Sequence, residues 1–281
     1  MHAVRALALV FMLLWQGCAA DLPRMSDRIS YGAPNRGYLH RGLALPDSGP
    51  GYVRARPGES TRFGTPALLA ALQHAAAAVA QQFPGSPALR IGDLSAPLGG
   101  DHDRHGSHRS GRDADLMFYA LDARGMPAPS LGMFVFDRFG IGREVRLAGG
   151  PEVGREAYLL DAERNWQLVR TLLLDDAARV QWIFCSHGVK AVLLRYAVQH
   201  EKDPDVLVRA AYVLHQPSSG RPHNDHFHVR VACAPEEAVL GCRDYGPIWP
   251  WQRNELDKAP EKAGETLDDD ALVSFLLSPL P

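Results

Sequence analysis

Residues 226–231 of this 281-residue chain alternate between polar and apolar side chains, which is the pattern of a β-strand with two different faces. His226, His228 and Arg230 would share one face, and the three apolar residues that alternate with them would share the other. Two imidazoles side by side are typical of a metal site, because neutral imidazole is the commonest nitrogen ligand in proteins. The pair alone fits two solvent-exposed histidines equally well, so the rest of the chain has to distinguish these interpretations.

A second group of polar residues lies far upstream. Here His108 precedes Asp115 by seven residues, and Gly106 and Gly111 lie on either side of the histidine. The glycines would let this loop turn back, so that the imidazole and the carboxylate converge on one point. Together with one imidazole from residues 226–231, His108 and Asp115 would supply two nitrogen ligands and one oxygen ligand. Three protein ligands leave a fourth position for water, as in a catalytic zinc site. Taken singly, these residues fit an ordinary loop histidine and a solvated carboxylate; together they favour the metal site.

The motifs that contain these residues resemble those of a known family. Residues 107–116 and 223–230 match the spaced His and Asp pair and the downstream His-x-His of the LAS metallopeptidases, and within that group they resemble the penicillin-insensitive murein endopeptidases. The resemblance covers roughly residues 30–245. It implies a site with these members: His108, Asp115 and His228 as zinc ligands, His226 as the active-site base, and His105 and His223 as further histidines lining the cleft.

The resemblance also implies a reaction, namely hydrolysis of the D-alanyl–meso-diaminopimelyl cross-links of peptidoglycan, with Zn²⁺ as cofactor and peptidoglycan stem peptides as partner. Zinc lowers the pKa of a bound water and polarises the scissile carbonyl. His226 is then expected to take the proton of that water and return it to the leaving amine. The sequence has no His-Glu-x-x-His motif, so a glutamate base of the thermolysin kind is not available. His105 and His223 are expected either to stabilise the oxyanion or to hold their loops by hydrogen bonds.

Two other functions fit the same residues. A D,D-carboxypeptidase of the same architecture would trim uncross-linked stem peptides, and a zinc-containing cell-wall binding module would keep the fold without turnover. The presence of His226 beside the three expected ligands favours an enzyme over a binding module. A serine hydrolase is not expected, because no Gly-x-Ser-x-Gly motif is present.

The charge of the chain bears on its partners. A formal net charge of −2 gives no electrostatic reason to expect binding to nucleic acid. Arg109, Arg112 and Arg230 nevertheless lie beside the two motifs. They are expected either to pair with carboxylates of the substrate or to be solvated at the surface.

The N-terminus predicts export. Residues 1–15 combine a positively charged start with an apolar run that is too short to span a bilayer. Cleavage after Ala20 would remove a signal peptide and leave a free protein. The alternative is lipid attachment at Cys18, which would anchor the protein to the outer membrane. In both cases we expect a periplasmic protein. In this oxidising compartment Cys233 and Cys242, which flank a short loop, could close a disulfide.

Helical and strand-like stretches are mixed without regular βαβ alternation, so we expect the α+β class. The expected core is LAS- or hedgehog-like, with a central, mostly antiparallel sheet that carries the zinc site, flanked by helices and long loops. Apolar spacing predicts helices that start at Thr65-Pro66 and near residues 163, 189 and 204, and strands near residues 89–94, 114–119 and 180–185.

The expected domain organisation follows from these segments. It comprises a signal peptide (residues 1–20), an extended N-terminal arm (21–64), a zinc metallopeptidase domain (65–245) and a peripheral C-terminal tail (246–281).

Overall fold

A computed structural model describes residues 29–253, and this part of the chain has a mixed α+β fold with several sheets and five α-helices, which confirms the predicted class. None of the helices in these residues has the length and apolar character that a membrane span requires. The helices are α1 (Pro66–Gln82), α2 (Ala162–Leu173), α3 (His187–His200), α4 (Pro204–Val213) and α5 (Pro235–Val239), followed by a 3₁₀ turn at Pro250–Gln252.

The strands of residues 29–253 form two larger and two small sheets. In chain order the strands are β1 (Ile29–Ala33), β2 (Arg36–His40), β3 (Leu43–Ala44), β4 (Ser48–Gly49), β5 (Tyr52–Arg54), β6 (Phe63–Gly64), β7 (Leu89–Ile91), β8 (Asp113–Met117), β9 (Ala120–Leu121), β10 (Pro127–Ala128), β11 (Met133–Phe136), β12 (Ile141–Val145), β13 (Ala157–Leu160), β14 (Val180–Phe184), β15 (Leu214–His215) and β16 (His226–Val231). The central sheet has seven strands in the order β15-β14-β16-β8-β7-β5-β4, and a five-stranded sheet has the order β10-β9-β13-β12-β11.

The central sheet is mostly antiparallel, as predicted. Strand β16 lies between β14 and β8 and runs antiparallel to both. The parallel pairs of this sheet are β5–β7 and β14–β15. The alternation predicted for β16 is also present, because Phe227, Val229 and Val231 are buried in the hydrophobic core. The polar face of β16 is thereby turned towards the opposite side of the sheet.

The helices begin where local capping signals place them. Thr65 Oγ1 accepts a hydrogen bond from the Leu68 backbone N–H at 3.3 Å, and Pro66 fits the first turn of α1. Leu68 is fully buried, and burial of such a side chain stabilises the fold by about 1.5–3 kcal/mol relative to exposure. Helix α3 begins at His187, two residues before the predicted position, because the Ser186 hydroxyl caps it by accepting the Val189 N–H at 3.2 Å.

The first part of the described chain, residues 29–64, forms the short strands β1 to β6, and β4 and β5 make one edge of the central sheet. Ser30 Oγ donates to the Ser110 carbonyl at 2.8 Å, so this part is attached to the loop that precedes β8. The predicted division into arm, domain and tail stays a prediction. Residues 1–28, with the expected signal peptide and Cys18, and residues 254–281 lie outside the described residues.

The predicted disulfide is confirmed. Cys233 and Cys242 are bonded to each other and both are buried, so they link the end of β16 to the chain beyond α5. The remaining thiol in the described residues, Cys185, is also buried, and burial raises its pKa to about 12. Such a thiol stays protonated and unreactive at neutral pH.

Candidate metal centre

The pairing of β8 with β16 brings the two sequence motifs together. His228 lies directly opposite Asp115, and Arg230 lies directly opposite Asp113. Residues paired in this way have side chains on the same face of the sheet. His226 is two residues from His228 and shares that face, so one carboxylate and two imidazoles meet at the middle of the sheet.

The loop before β8 adds a third imidazole. His108 is completely buried, and its backbone is in the left-handed region, with φ 63°. Gly111 also has a positive φ, 74°, and a Cβ there would lie 2.6 Å from Leu39, which explains the need for glycine. Gly106 does not have a positive φ, although the chain bends at this residue. Ser95 Oγ fixes the turn by donating to the His108 carbonyl and accepting the Gly111 N–H.

Three imidazole nitrogens converge on one oxygen of Asp115. Its Oδ1 is 3.2 Å from His108 Nε2, 3.4 Å from His226 Nε2 and 3.7 Å from His228 Nδ1. Asp115 Oδ1, His108 Nε2 and His226 Nε2 are buried and form no hydrogen bond with any described residue. Buried polar atoms without partners are costly unless something else satisfies them. A cation bound by His108 Nε2 and Asp115 Oδ1 would satisfy two of these three atoms, and a set of nitrogen and oxygen ligands suits zinc.

Asp115 and His228 are in the protonation states that metal binding requires. Although burial favours the protonated acid, the charges of His108 and His226 hold the pKa of Asp115 well below its usual range. Burial lowers the pKa of His228 to about 3, so this imidazole is neutral. An ionised carboxylate and a neutral imidazole are the forms that bind a metal. Burial would lower the pKa of His108, but the carboxylate of Asp115 raises it, so this imidazole would give up its proton on binding a metal.

A second carboxylate, Asp113, orients His228. Asp113 is completely buried, and its Oδ1 is 2.8 Å from His228 Nε2 and 2.7 Å from Arg230 Nε. Burial alone would raise the pKa of Asp113, but the charge of Arg230 and the hydrogen bond from His228 hold it well below the usual range. An ionised carboxylate can only accept, so His228 carries its proton on Nε2. The Nδ1 lone pair is therefore left facing Asp115.

Replacing Asp113 with asparagine should weaken zinc binding by about 10- to 100-fold, because the His228 tautomer and ring orientation would no longer be fixed. Competition with a chromophoric chelator measures this affinity. The matched control is Asp176→Asn, at a carboxylate that is 89% exposed, and it should leave the affinity unchanged. Unchanged zinc affinity in Asp113→Asn would show that His228 does not depend on this hydrogen bond.

The arginines beside the motifs have structural partners. Arg112 is completely buried and donates to Ser30, Asp244 and backbone carbonyls, so both expected fates for Arg112, surface solvation and substrate binding, are wrong. Arg230 borders the cleft, but its Nε is held by Asp113. The contact between Asp113 and Arg230 depends on the register of β8 with β16, so it could be predicted only if that register were known.

His105 was predicted to line the cleft, and its ring also contacts the central carboxylate of the cluster. Its Nε2 is 3.4 Å from Asp115 Oδ2 and 3.0 Å from Asp93 Oδ2. The ligand atoms of His105, His108 and Asp115 lie within 4.8 Å of one another, so His105 is a further candidate ligand. Arg104 holds Asp93 through two hydrogen bonds of 2.9 and 2.7 Å, which fixes this carboxylate beside His105. Asp93 belongs to neither of the two sequence motifs, so no role was predicted for it.

His223 lies at the edge of the cluster. The centroid of its ring is 5.1 Å from that of His226 and 5.5 Å from that of His228. Burial lowers the pKa of His223 to about 4, so its ring is neutral. Its backbone has a positive φ of 54°, a strained conformation of the kind that clusters at functional sites.

The cluster opens into a cleft of about 810 Å³. His105, His223, His226 and His228 line its base. Trp182 and Phe184 of β14 form an apolar wall, and their rings stack with centroids 5.9 Å apart. The rings of Phe184 and His228 meet edge-to-face, with centroids 5.3 Å apart. The remaining lining residues include Arg104, Arg221, Arg230, Asp225 and Tyr245. The cleft is large enough for a peptide-sized ligand to reach the buried centre.

The fold and the site define an α+β protein with a buried histidine–carboxylate centre beneath an open cleft. Residues 30–252 match the family described as Penicillin-insensitive murein endopeptidase, and the chain belongs to this family, which confirms the membership predicted from the motifs. It is 35% identical over 225 residues to a penicillin-insensitive murein endopeptidase of Klebsiella pneumoniae, covering 79% of this chain and 72% of the relative. A penicillin-insensitive murein endopeptidase of Haemophilus influenzae is 28% identical over 246 residues, covering 83% and 73%.

Proposed function

We propose that this chain is a zinc-dependent murein endopeptidase that hydrolyses the D-alanyl–meso-diaminopimelyl cross-links of peptidoglycan. The observation that carries the proposal is the convergence of three imidazoles on the unpartnered Oδ1 of Asp115, at the base of an open cleft. Membership of the family supports the substrate class.

His108, Asp115 and His228 would hold the metal, with His105 as the further candidate. Zinc bound there would supply a Lewis acid for the scissile carbonyl and would lower the pKa of a water. Asp113 keeps the Nδ1 lone pair of His228 directed at the centre. The aromatic wall beside His228 would exclude solvent from one side of the reacting peptide.

His226 is the proposed general base. Burial would lower its pKa, but the carboxylates of Asp115 and Asp225 raise it to about 10. Asp225 Oδ1 is 2.8 Å from His226 Nδ1, which leaves Nε2 directed towards the centre. A cation bound at Asp115 would neutralise much of that raising charge, so the pKa of His226 would fall towards the neutral range that suits a general base.

The substrate lies outside the cytoplasm, so we also propose that the chain is exported and acts in the periplasm. The apolar N-terminal segment of the sequence supports this proposal. Removal of residues 1–20 would release a free enzyme, whereas lipid attachment at Cys18 would anchor it to the outer membrane.

The experiment that tests the proposed reaction is a comparison of two purified substrates, a cross-linked muropeptide dimer and an uncross-linked pentapeptide monomer. We expect the zinc-loaded protein to convert the dimer to monomers and to leave the pentapeptide intact. Release of D-alanine from the pentapeptide would instead identify a D,D-carboxypeptidase. Binding of either compound without any product would identify a binding module.

A further inference from the structure

We propose that Arg221 binds the free carboxylate that lies next to the scissile bond and thereby selects substrates that carry it. The inference rests on the proposed endopeptidase function, because it names a substrate group recognised at the same cleft. It concerns a residue that the motifs and the metal centre leave without a role.

The lining of the cleft includes several cationic side chains. Among the described residues that line it, the arginines are Arg104, Arg221 and Arg230. Arg104 is committed to Asp93, with hydrogen bonds of 2.9 and 2.7 Å. Arg230 is committed to Asp113, with a hydrogen bond of 2.7 Å. Each of these two arginines therefore has an internal carboxylate that neutralises it.

Arg221 differs from both. Its side chain is exposed to the cleft, and its guanidinium has no ion pair or hydrogen bond with any residue between positions 29 and 253. It stands two residues before His223 and therefore on the same loop as that histidine. The nearby cleft carboxylate Asp225 lies against His226 instead. A guanidinium that is free beside a catalytic centre is available to a carboxylate of the ligand.

The chemistry of the proposed substrate supplies that carboxylate. Diaminopimelate is a diamino diacid, and the carbon whose amine forms the cross-link also carries a carboxyl group that takes part in no peptide bond. This carboxylate is therefore separated from the scissile amide nitrogen by one carbon. A bidentate pair between it and Arg221 would fix the leaving side of the cross-link relative to the centre.

The test uses two cross-linked dimers that differ in one group, the diaminopimelate carboxyl next to the scissile bond, which is either free or amidated. We expect the zinc-loaded wild type to cleave the free acid with a kcat/KM about 10- to 100-fold higher than the amide. Arg221→Gln should lose this preference by cleaving the free acid as slowly as the amide. The matched control Arg155→Gln, at an exposed arginine outside the cleft lining, should keep the wild-type preference.

A binding measurement separates failure of this inference from failure of the proposed function. Calorimetric titration with the diaminopimelate-containing stem peptide, free or amidated, reports recognition without turnover. If the wild type binds the free acid more tightly than Arg221→Gln does, the role of Arg221 is supported, whether or not the dimers are cleaved. If the wild type cleaves neither dimer, the proposed endopeptidase function is refuted. Equal binding of acid and amide by the wild type, or an unchanged preference in Arg221→Gln, would overturn the role of Arg221.

Discussion

Replacing Asp115 with alanine should abolish both zinc binding and peptidoglycan hydrolysis. Asp115 lies at the centre of the cluster, since its two oxygens are 3.2 to 3.7 Å from ring nitrogens of His105, His108, His226 and His228. It also supplies the only negative charge among the proposed ligands, and a neutral set of imidazoles attracts a divalent cation less strongly. Bound metal, measured by mass spectrometry of the dialysed protein, should fall to background, and activity to that of the chelated wild type.

Asp115→Asn is the informative companion variant, because it keeps the shape of the side chain and removes its charge. It should bind zinc more weakly than the wild type and more tightly than Asp115→Ala. The Asp176→Asn variant should behave as wild type in both measurements, because that carboxylate is 89% exposed. Stoichiometric, wild-type zinc affinity in folded Asp115→Ala would refute the ligand assignment.

Replacing His226 with alanine should separate turnover from metal binding. The His226 ring contacts Asp115 through Nε2 and Asp225 through Nδ1, so it is positioned to exchange a proton at the centre. Loss of a general base typically lowers kcat by about 10²- to 10⁴-fold. Because His108, Asp115 and His228 remain in this variant, its zinc affinity should change little. The two quantities are kcat on cross-linked muropeptide dimers and zinc affinity from chelator competition.

The control for this prediction is His74→Ala, at a histidine whose side chain is 76% exposed on α1. It should retain both the activity and the zinc affinity of the wild type. Full activity in His226→Ala would exclude His226 as the base. Loss of zinc from His226→Ala would instead make it a ligand.

The local elements of this fold could be predicted from the sequence because their signals are local. The start of α1 depends on Thr65 and Pro66, and β16 depends on the alternation of its own residues. The burial of β8 could not be predicted in this way. All five of its residues are buried, including Asp113 and Asp115 on the face shared with His228, although Asp115 taken singly fitted a solvated carboxylate. The loop containing His108 covers that face, and its position is fixed by hydrogen bonds to Ser95, which lies outside the motif.

The site was predictable to the extent that its residues belong to recognisable motifs. The two motifs predicted His108, Asp115, His226 and His228, and the structure brings all four together. Asp113 was missed, although it stands two residues before Asp115 and so shares the same face of β8. Its function depends on the register with β16, which a single sequence does not specify.

Mass spectrometry of digested peptidoglycan tests both the metal dependence of the proposed cleavage and the bond that is cut. Purified peptidoglycan is incubated with the protein alone, with a chelator, and with the chelator followed by excess zinc. We expect cleavage between D-alanine and meso-diaminopimelate in the first sample, no cleavage in the second and recovery of cleavage in the third. Cleavage that persists in the chelator would refute the metal dependence, and products cut at a different bond would refute the proposed specificity.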